Sequence, residues 1–562
     1  MKPTDIRVPD YFHKVVDCQW ACPAHTPVPE YIRLIAAGRY SDAYLVNWKS
    51  NVFPGILGRT CDRPCEPACR RGRVEENNGE KPEPVAICRL KRVAADNKDV
   101  DAVRARMPKP ATRKNGRRIA CVGAGPASLT VARDLAPLGY HVTVFEAEKK
   151  GGGFMRTQVP RFRLPEAVID EEVGYILDLG VEFRGDSRID SMKALLEQNF
   201  DAIFVGSGAP RGRNLEIPGR AEAAKNIHIG LDWLASVYFE HIKSIGKRVI
   251  VLGGGNTAMD CCRSSRRLGG EDVKVIVRSG FEEMKASPWE KEDAMHEGIP
   301  ILNYMVPKTF EHRDGKLIGM TFEKVRAERD AKGRRQLVPT GEPDQFVECD
   351  DVLIAVGQEN AFPWIERDAG IEFGEWDMPV VDKITMQSSH SKVFFGGDAA
   401  FGPKNIIWAV AHGHDAAVSI DKMLSGENVH DRPEPGVSLI SQKMGIHEWS
   451  YDNDISNDLR YAVPWREKEK TLKSIKVEVE LGFDAQTAFN EAQRCLNCDV
   501  QTVFTKDVCI ECDACVDICP MDCISFTAND AEPELRTHLT APALNLTQDL
   551  YVSDLLRTGR VM

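Results

Sequence analysis

The sequence predicts an α/β fold with two parallel-sheet domains and a cysteine-rich segment at each end of the chain. Residues 117–147 and 247–278 each show the order strand, glycine-rich turn, helix and strand, which is typical of a nucleotide-binding unit. The 562 residues exceed the ~150 of one domain, and 43% of them are apolar. Six of the 17 cysteines lie within residues 18–88 and seven lie within 495–523. We therefore expect several domains, with most thiols confined to the two ends.

The charge balance excludes two classes of partner. With 73 Lys and Arg against 84 Asp and Glu, the net charge of -11 argues against binding to nucleic acid or to an anionic membrane surface. No apolar run reaches the roughly 20 residues of a bilayer span, and residues 1–14 lack the apolar core of a secretory signal. We therefore expect a cytoplasmic protein, in which clustered thiols bind metal more often than they form disulfides.

The N-terminal region is predicted to be a small helical domain. Residues 30–48 place apolar side chains at three- and four-residue spacing, which indicates an amphipathic helix. The polar segment 109–116, marked by Pro and Gly, separates this domain from the first strand.

The first glycine-rich turn follows the frame G-x-G-x-x-S. Gly123 makes the tight turn, and Gly125 lets the backbone approach a pyrophosphate at the N-terminus of the next helix. Ser128 replaces the usual third glycine and is small enough for close helix packing. Glu146 stands 18 residues after Ser128, where a carboxylate can accept hydrogen bonds from ribose hydroxyls. A tight structural turn is the alternative. The predicted dinucleotide site comprises Gly123, Gly125, Pro126, Ala127, Ser128 and Glu146.

The second glycine-rich turn also lies between a strand and a helix, so the chain has two cradles and is expected to bind two dinucleotides. Arg278 ends the following strand, Ser279 comes next, and no acid stands there. Arg278 either faces an adenine or a 2'-phosphate, or is a solvated strand-end residue. The second cradle comprises Gly253, Gly254, Gly255, Asn256, Thr257 and Ala258.

The remaining segments are less regular. Residues 350–425 contain two short apolar strands and then a helix from about Ile406. Residues 431–475 are Pro- and charge-rich, which predicts an extended linker before a helix at 484–494. Cys121 and Cys349 are expected to be core residues. Cys261 and Cys262 lie within a helix and are expected to be buried packing residues, with a redox pair as the alternative. No C-x-x-C follows the first cradle, so the dithiol relay of disulfide reductases is absent.

The N-terminal cysteines occur at spacings of four, as in Cys18-x3-Cys22 and Cys61-x3-Cys65-x3-Cys69. This spacing places thiolates on one side of a helical turn and favours a cluster over the C-x2-C knuckles of zinc sites. A structural zinc site is the alternative. The N-terminal cysteines are Cys18, Cys22, Cys61, Cys65, Cys69 and Cys88, and Cys495 and Cys498 supply the two thiols that would complete two four-iron clusters.

The C-terminal cysteines form C-x2-C-x2-C-x3-C-P, the bacterial ferredoxin run, which is a specific signal for an iron-sulfur cluster. The fourth cysteine of this run normally ligates a second cluster, but no second run follows before Met562. We therefore expect the ferredoxin-like domain to be incomplete at Met562. Cys523 is a free neighbour of the cluster or a substitute ligand. The predicted ligands are Cys509, Cys512, Cys515 and Cys519.

Several motifs together resemble the iron-sulfur flavoproteins typified by the small subunit of bacterial glutamate synthase. They are GAGPAS, GGGFMRTQVPRFRLP, GGGNTAMD, DDVLIAVGQ, FFGGDAAFG and GRTCDRPCEPAC. The resemblance implies FAD on the first cradle and NAD(P)H on the second, in two Rossmann-like domains with the second inserted in the first. Asp398 also follows two glycines at a strand end, where it can accept sugar hydroxyls or cap a helix. The residues implied to contact the flavin are Gly152, Gly153, Arg156, Gly397, Asp398, Asn405, Ile406 and Ile407.

The resemblance also implies a ligand set for each N-terminal cluster. A segment similar to EAQRCLNC stands near the N-terminus in the family, so we infer that this chain folds its C-terminal copy back. In the family, the last ligand of one cluster is a Glu or Gln, where this chain has Lys91, which cannot replace it. The family also carries two arginines at the nicotinamide strand end, where Ser279 favours NADH. One cluster would use Cys18, Cys69, Cys495 and Cys498, and the other Cys22, Cys61, Cys65 and Cys88.

Residues 480–504 and the ferredoxin run look most like the DsrL type of NAD(P)H:acceptor oxidoreductase, which is linked to dissimilatory sulfite reductase. The expected function is electron transfer between NADH or NADPH and a protein acceptor through FAD and [4Fe-4S] clusters, with no catalytic side chain. The expected domains are helical iron-sulfur (1–110), FAD-binding (111–235 and 346–430), NAD(P)H-binding (236–345), linker (431–490) and ferredoxin-like (491–562).

Two alternatives stay open. One is an electron-input subunit for a glutamate synthase, a 2-oxoacid oxidoreductase or an aromatic-CoA oxidoreductase; the appended ferredoxin run disfavours glutamate synthase. The other is a non-enzymatic electron-wire subunit, which the intact GGGNTA turn disfavours. A homodimer is one oligomeric state compatible with the sequence.

Overall fold

A computed structural model describes residues 16–73, 83–329, 333–433 and 456–499, with two further short strands at 527–528 and 560–561. The predicted ferredoxin-type ligands Cys509, Cys512, Cys515 and Cys519, and their neighbour Cys523, lie outside the described residues. Within the described ranges, no helix is both long and apolar enough to cross a bilayer.

The N-terminal region is helical, and its core contains Tyr31, Tyr44 and Trp48. The predicted helix over 30–48 is divided in two. Gly38 adopts a left-handed φ of 68° between the two parts, a conformation that glycine adopts without steric cost. The helices are α1 (Asp17–Ala21), α2 (Val28–Ala36), α3 (Tyr40–Asn51), α4 (Pro54–Thr60), α5 (Cys65–Ala68), α6 (Ile87–Asn97) and α7 (Val100–Arg106).

The first βαβ unit begins a parallel sheet whose central strand is almost fully buried. In this strand Cys121 lies between Val144 and Phe204 of the two neighbouring strands. Burial on both faces explains the continuous apolar run IACV. The elements are β1 (Arg118–Val122), α8 (Pro126–Leu135), β2 (His141–Phe145), α9 (Phe154–Thr157), α10 (Glu166–Leu177), β3 (Glu182–Arg184), α11 (Met192–Leu196), β4 (Ala202–Val205) and β5 (Arg211–Gly212).

The second βαβ unit is inserted between the two parts of the first sheet and forms its own sheet. Its elements are β6 (Ile227–Ile229), α12 (Gly230–Tyr238), β7 (Arg248–Leu252), α13 (Asn256–Arg267), β8 (Asp272–Ile276), α14 (Pro288–His296), β9 (Ile301–Leu302), β10 (Met305–Arg313), β11 (Lys316–Arg329), β12 (Arg335–Pro339), β13 (Gln345–Glu348) and β14 (Asp351–Ile354). Strands β6, β14, β7, β8 and β9 form a parallel sheet in that order, and β10 to β13 form an antiparallel sheet beside it.

The inserted unit is longer at both ends than the predicted range 236–345. Val352 of β14 pairs with Ile227 of β6 and with Ile250 of β7. The unit therefore extends at least over residues 227–354. The sequence boundary was too narrow because β6 is only three residues long and DDVLIAVG was assigned to the first sheet.

The chain then returns to the first sheet and completes it. The returning elements are β15 (Gln358–Glu359), β16 (Val393–Phe395), α15 (Asp398–Phe401) and α16 (Ile406–Ser425). The completed sheet has the order β16, β4, β1, β2, β3. Strand β15 pairs with β5 as a two-stranded antiparallel connection between the two units.

The C-terminal segment 456–499 packs against the N-terminal helices, whereas residues up to 490 were predicted as linker. It contains α17 (Lys468–Thr471) and α18 (Ala485–Ala492), and the remaining strands β17 (Thr527–Ala528) and β18 (Arg560–Val561) pair antiparallel. Glu491 of α18 is fully buried and accepts hydrogen bonds from the Ala86 amide at 2.7 Å and from Arg494 at 2.7 Å. This buried pair joins the two ends of the chain.

Candidate cofactor-binding sites

A cavity of about 530 Å³ lies at the carboxyl ends of the strands of the first sheet, within the usual size range of ligand sites. Its walls include the turn after β1, the end of β2, residues 153–155 and 157–159, and the turn after β16. Ten predicted residues line it: Gly123, Gly125, Pro126, Ala127, Glu146, Gly153, Gly397, Asp398, Asn405 and Ile406.

Two glycines in this wall allow close backbone approaches that a larger residue would block. Gly123 has φ 87°, and a Cβ there would lie 2.9 Å from the Gly206 carbonyl oxygen. Gly153 has φ 52°, and a Cβ there would lie 2.9 Å from the Gly125 Cα. Ser128 packs tightly as well, since a Cβ on Gly206 would lie 2.2 Å from its Oγ. The cradle therefore fits a pyrophosphate at the N-terminus of α8.

Two carboxylates line the cavity at positions suited to sugar recognition. Glu146 accepts hydrogen bonds from the Ala124 amide at 2.7 Å and the Glu148 amide at 3.1 Å, and burial raises its pKa. Asp398 accepts a hydrogen bond from the Lys404 amide at 2.9 Å, and burial raises its pKa to about 6. These backbone bonds orient both groups and leave further lone pairs for ribose or ribityl hydroxyls.

Arg156, which the resemblance implies at the flavin, does not line this cavity. Its guanidinium is buried and donates to the Gly151 carbonyl at 2.7 Å, to Glu166 at 3.1 Å and to Asp170 at 2.7 Å. These two carboxylates neutralise the guanidinium and hold it against α10. The predicted residues that do not line the cavity are Ser128, Gly152, Arg156 and Ile407.

The structure adds wall residues that the sequence analysis missed. Gly206, Ser207 and Gly208 follow β4 directly. Their signal was present, because FVGSG places two glycines after an apolar strand, as the other two cradles do. Trp364 and Lys404 also line the cavity, but neither stands in a glycine-rich or periodic context that would have indicated it.

The second cradle has the same construction as the first. Gly253 has φ 137°, and a Cβ there would lie 2.1 Å from the Ala355 carbonyl oxygen, so glycine is required. Asn256 and Thr257 begin α13. Gln358 lines the cavity of the first sheet, which we call the flavin-type cavity. Its Nε2 donates a hydrogen bond to the Thr257 Oγ1 at 3.4 Å. The two nucleotide sites therefore share a wall.

Arg278 is exposed just after β8 and has no ion-pair partner within the described part of the chain. Ser279 follows it, and its carbonyl accepts a hydrogen bond from Asn303 at 2.9 Å. The Arg278 guanidinium is thus free to meet an anionic group at the strand end.

The four cysteines outside the two cysteine-rich ends are packing residues, as expected. Cys121, Cys261, Cys262 and Cys349 are buried, and burial raises the pKa of each thiol. The Cys262 thiol donates to the Met259 carbonyl at 3.2 Å within its own helix.

Thiol group A consists of Cys18, Cys69, Cys495 and Cys498. All four line one small cavity, so the chain brings thiols from its two ends together. Burial raises the pKa of Cys18, and the other three thiols raise it further. Two ion pairs flank the group. Arg33 binds Asp499 at 2.6 Å, and Arg70 binds Asp17 at 3.2 Å.

Thiol group B consists of Cys22, Cys61, Cys65 and Cys88, and all four are buried. Hydrogen bonds from Cys61 and Cys65 hold the pKa of Cys88 well below its usual value, although burial opposes this. The Arg63 amide donates to the Cys61 sulfur at 3.4 Å. Cys88 therefore belongs with the other thiols of this group.

Lys91 lies one helical turn after Cys88 and is buried. Burial lowers the pKa of Lys91, but the four thiols of group B outweigh burial and raise it. Tyr31 is also buried, and burial together with thiols of both groups raises the pKa of its hydroxyl. Group B thus has the Lys91 cation at the position where, by the resemblance, the family carries a Glu or Gln ligand.

The donor sets fit the groups that the sequence implied. Each group offers four thiols, all buried in group B and two partly exposed in group A, and this number matches the four cysteine ligands of a [4Fe-4S] cluster. Across the described ranges, no three His, Cys, Asp or Glu side chains converge closely enough to hold a single metal ion.

Comparison with known proteins identifies relatives over most of the chain. Residues 117–413 match the family model of pyridine nucleotide-disulphide oxidoreductases, and residues 12–102 match the dihydropyrimidine dehydrogenase domain II, 4Fe-4S cluster. The NADP(+)-dependent formate dehydrogenase subunit beta of Moorella thermoacetica is 34% identical, covering 86% of this chain and 70% of the relative. The NADPH-Fe(3+) oxidoreductase subunit beta of Geobacter sulfurreducens is 31% identical, covering 88% and 77%. The glutamate synthase [NADPH] small chain of Azospirillum brasilense is 31% identical, covering 72% and 85%.

Proposed function

Because the chain belongs to the pyridine nucleotide-disulphide oxidoreductases, as an iron-sulfur flavoprotein of the glutamate synthase small-subunit type, we propose that it transfers electrons between NAD(P)H and a partner protein. Its cofactors are FAD, NAD(P)H and [4Fe-4S] clusters. When bound, FAD exchanges electron pairs with a nicotinamide and single electrons with clusters. The observation that supports the proposal most is the wall shared by the two nucleotide sites, where Gln358 meets Thr257.

The residues of the chain bind and orient these groups. Gly123 and Gly253 let the backbone approach two pyrophosphates, while Glu146 and Asp398 offer acceptors to sugar hydroxyls. Thiol groups A and B would hold one cluster each. No side-chain acid, base or nucleophile is needed, since hydride and electron transfer depend on distance and orientation.

The nucleotide preference is a finer proposal. Ser279 replaces the second arginine that favours a 2'-phosphate, which supports NADH. Three relatives are instead named for NADPH or NADP(+). We propose NADH as the preferred nucleotide, with exposed Arg278 leaving room for NADPH.

The partner is proposed to be the dissimilatory sulfite reductase system. The DsrL-type resemblance over residues 480–504 and the ferredoxin run support this choice. Two of the relatives named above are a formate dehydrogenase subunit and a glutamate synthase small chain, and these names make formate dehydrogenase and glutamate synthase partners the main alternatives. Addition of purified dissimilatory sulfite reductase and sulfite should accelerate anaerobic NADH oxidation, whereas a glutamate synthase large subunit should not. The reverse result would reassign the partner.

An anaerobic titration of the purified, cluster-loaded chain tests the enzymatic part. NADH and, separately, NADPH would be added while flavin and iron-sulfur absorbance are followed together. We expect both chromophores to bleach, at lower concentrations of NADH than of NADPH. If dithionite bleaches the chromophores but neither nucleotide does, the chain is a non-enzymatic electron-wire subunit. A preparation without flavin would refute the proposal.

A further inference from the structure

One carboxylate of the iron-sulfur domain contacts both nucleotide-binding domains. Asp62 follows Cys61 in the loop between α4 and α5. Its Oδ2 accepts a hydrogen bond from Asn405 Nδ2 at 2.7 Å. Its Oδ1 accepts hydrogen bonds from Ser287 Oγ at 3.2 Å and from Asn256 Nδ2 at 3.4 Å. A single side chain next to thiol group B thus joins three domains.

The three donors all stand at the beginnings of helices. Asn405 caps α16 and lines the flavin-type cavity. Asn256 is the first residue of α13 in the second cradle, and Ser287 precedes α14. The Ser287 amide also donates to the Asn256 Oδ1 at 2.9 Å, which makes the second cradle and α14 one unit. Asp62 therefore links the cap of the flavin-facing helix to the start of the nicotinamide-facing helix.

A second contact lies beside Asp62. Arg63 is buried, and its guanidinium lies 3.9 Å from the centre of the Trp289 ring on α14. Stacking of a cation on tryptophan is strongest where water is excluded. The loop after Cys61 thus contacts the inserted domain at two adjacent points, of which only Asp62 also reaches the flavin-facing helix.

We propose that Asp62 is a positioning residue that holds the nicotinamide-binding domain against the flavin cavity in the arrangement needed for hydride transfer. This inference rests on the proposed function, because it requires that NAD(P)H reduces a flavin in this chain. A displacement of about 1 Å at a transfer site costs on the order of 100-fold in rate. Loss of the carboxylate removes all three bonds at once, so both domains gain freedom relative to each other.

The test uses Asp62→Ala and Asp62→Asn in the full chain loaded with FAD and clusters. Stopped-flow mixing with NADH, and separately with NADPH, measures the limiting rate of flavin bleaching at saturating nucleotide. We expect this rate to fall at least tenfold in Asp62→Ala and by less in Asp62→Asn, whose Oδ1 still accepts from Ser287 and Asn256, with nucleotide Kd changed by less than about threefold in both. Flavin and iron contents, and flavin reduction by dithionite, should match the wild type, which separates positioning from a folding defect.

Two controls sharpen the test. Asp96→Asn changes a carboxylate of the same domain that binds Arg59 and Arg92 and reaches neither nucleotide site, so its rate should match the wild type. Ser287→Ala should lower the rate less than Asp62→Ala, and the double variant should match Asp62→Ala, because both changes act on one contact.

Three results would overturn the inference or its premise, and they are distinguishable. If neither nucleotide bleaches the wild-type flavin, the proposed function is wrong. If the wild type is reduced and the Asp62 variants keep its rate, the positioning role is wrong. If the variants lose FAD or iron in proportion to the rate, Asp62 is a folding residue and the positioning role is again wrong.

Discussion

Thiol groups A and B differ in where their residues come from. Group A needs both ends of the chain, because Cys18 and Cys69 meet Cys495 and Cys498. All four thiols of group B lie within residues 22–88. Group A also lies near the point where the chain leaves for the ferredoxin run, while the loop of group B contacts both nucleotide sites. The comparison indicates that one group can be lost by undocking the C-terminal segment while the other persists.

The two groups also differ in charge. The cations next to group A are paired, Arg33 with Asp499 and Arg70 with Asp17. Next to group B, Lys91 is buried and makes no ion pair with a carboxylate in the described part of the chain. Burying a cation is costly unless an opposite charge lies near it, and the thiolates are the candidates here. The charge of group B and of Lys91 should therefore depend on each other.

Removing one thiol from either group should have the largest effect. Cys88→Ser should lower the iron content by one cluster, about four irons per chain, because group B then lacks a ligand. Cys498→Ser should cause the same loss at group A. Flavin content should not change in either variant. Iron and labile sulfide per flavin measure this, with the buried packing thiol variant Cys262→Ser as control; an unchanged iron content in Cys88→Ser would exclude Cys88 as a ligand.

The second-largest effect is expected from undocking the C-terminal segment 456–499, which should affect the cluster of group A and not that of group B. Arg494→Ala leaves Glu491 buried without its partner, and breaking a buried pair in this way costs about 3–5 kcal/mol. Group A should then lose its cluster while group B keeps one. Iron content and proteolysis of residues 456–499 report this, and Arg466→Ala on an exposed position should have little effect. Equal iron loss from both groups would contradict the comparison.

A pH effect on stability is expected from a buried carboxyl at the helix that leads into group B. Glu172 accepts hydrogen bonds from the Gly55 and Ile56 amides at 2.6 and 2.9 Å, at the start of the helix that ends before Cys61. Burial raises the pKa of Glu172 to about 7. A raised folded-state pKa means that this stability is complete below the unfolded value, about 4.3, and is lost as pH rises through about 7. The difference corresponds to about 4 kcal/mol.

Thermal unfolding between pH 5 and 8 checks this expectation. The Tm of the wild type should fall as pH rises, and Glu172→Gln should flatten the profile because the amide does not ionise. Glu171→Gln, at the neighbouring and more exposed position, should keep the wild-type slope. A Tm that rises over this range in the wild type, relative to Glu172→Gln, would show that the sign is wrong.

The smallest effect is expected from the charge of Lys91. Two unit charges roughly 7 Å apart at an effective dielectric of about 20 interact by about 2 kcal/mol, which is about 100 mV for one electron. Lys91→Met should lower the reduction potential of one cluster by up to this amount and leave the others unchanged. Redox titration followed by electron paramagnetic resonance measures it, with Lys49→Met on an exposed helix position as control. An unchanged potential would show that Lys91 is screened from the cluster.

Local patterns in the sequence predicted much of this architecture. Both glycine cradles, the two parallel sheets and the helical N-terminal domain follow from periodicity and from G-x-G turns, which depend on neighbouring residues only. The pairing of Cys18 with Cys495 came from the resemblance, because spacing alone cannot specify contacts between chain ends. The structure places these thiols together through the buried Glu491 and Arg494, which belong to the EAQRCLNC segment but whose contacts with residues 83–86 no local pattern predicts.

The features that the sequence did not reveal depend on contacts between residues that are distant along the chain. Arg156 was expected at the flavin, but Glu166 and Asp170, ten and fourteen residues later, bind its guanidinium. Asp62 was not noticed because its three partners come from two other domains. The predicted limits of the inserted domain were too narrow because the short strand β6 joins the sheet only by pairing with β14, which is distant in the sequence.

The most direct test asks whether NADH or NADPH reduces the clusters held by thiol groups A and B. The cluster-loaded wild type, Cys88→Ser and Cys498→Ser would be reduced anaerobically with excess NADH or NADPH, frozen and examined by electron paramagnetic resonance. We expect bleached flavin in all three proteins and cluster signals in the wild type, with a different signal missing from each variant. Bleached flavin without any cluster signal in the wild type, or loss of the same signal from both variants, would contradict this expectation.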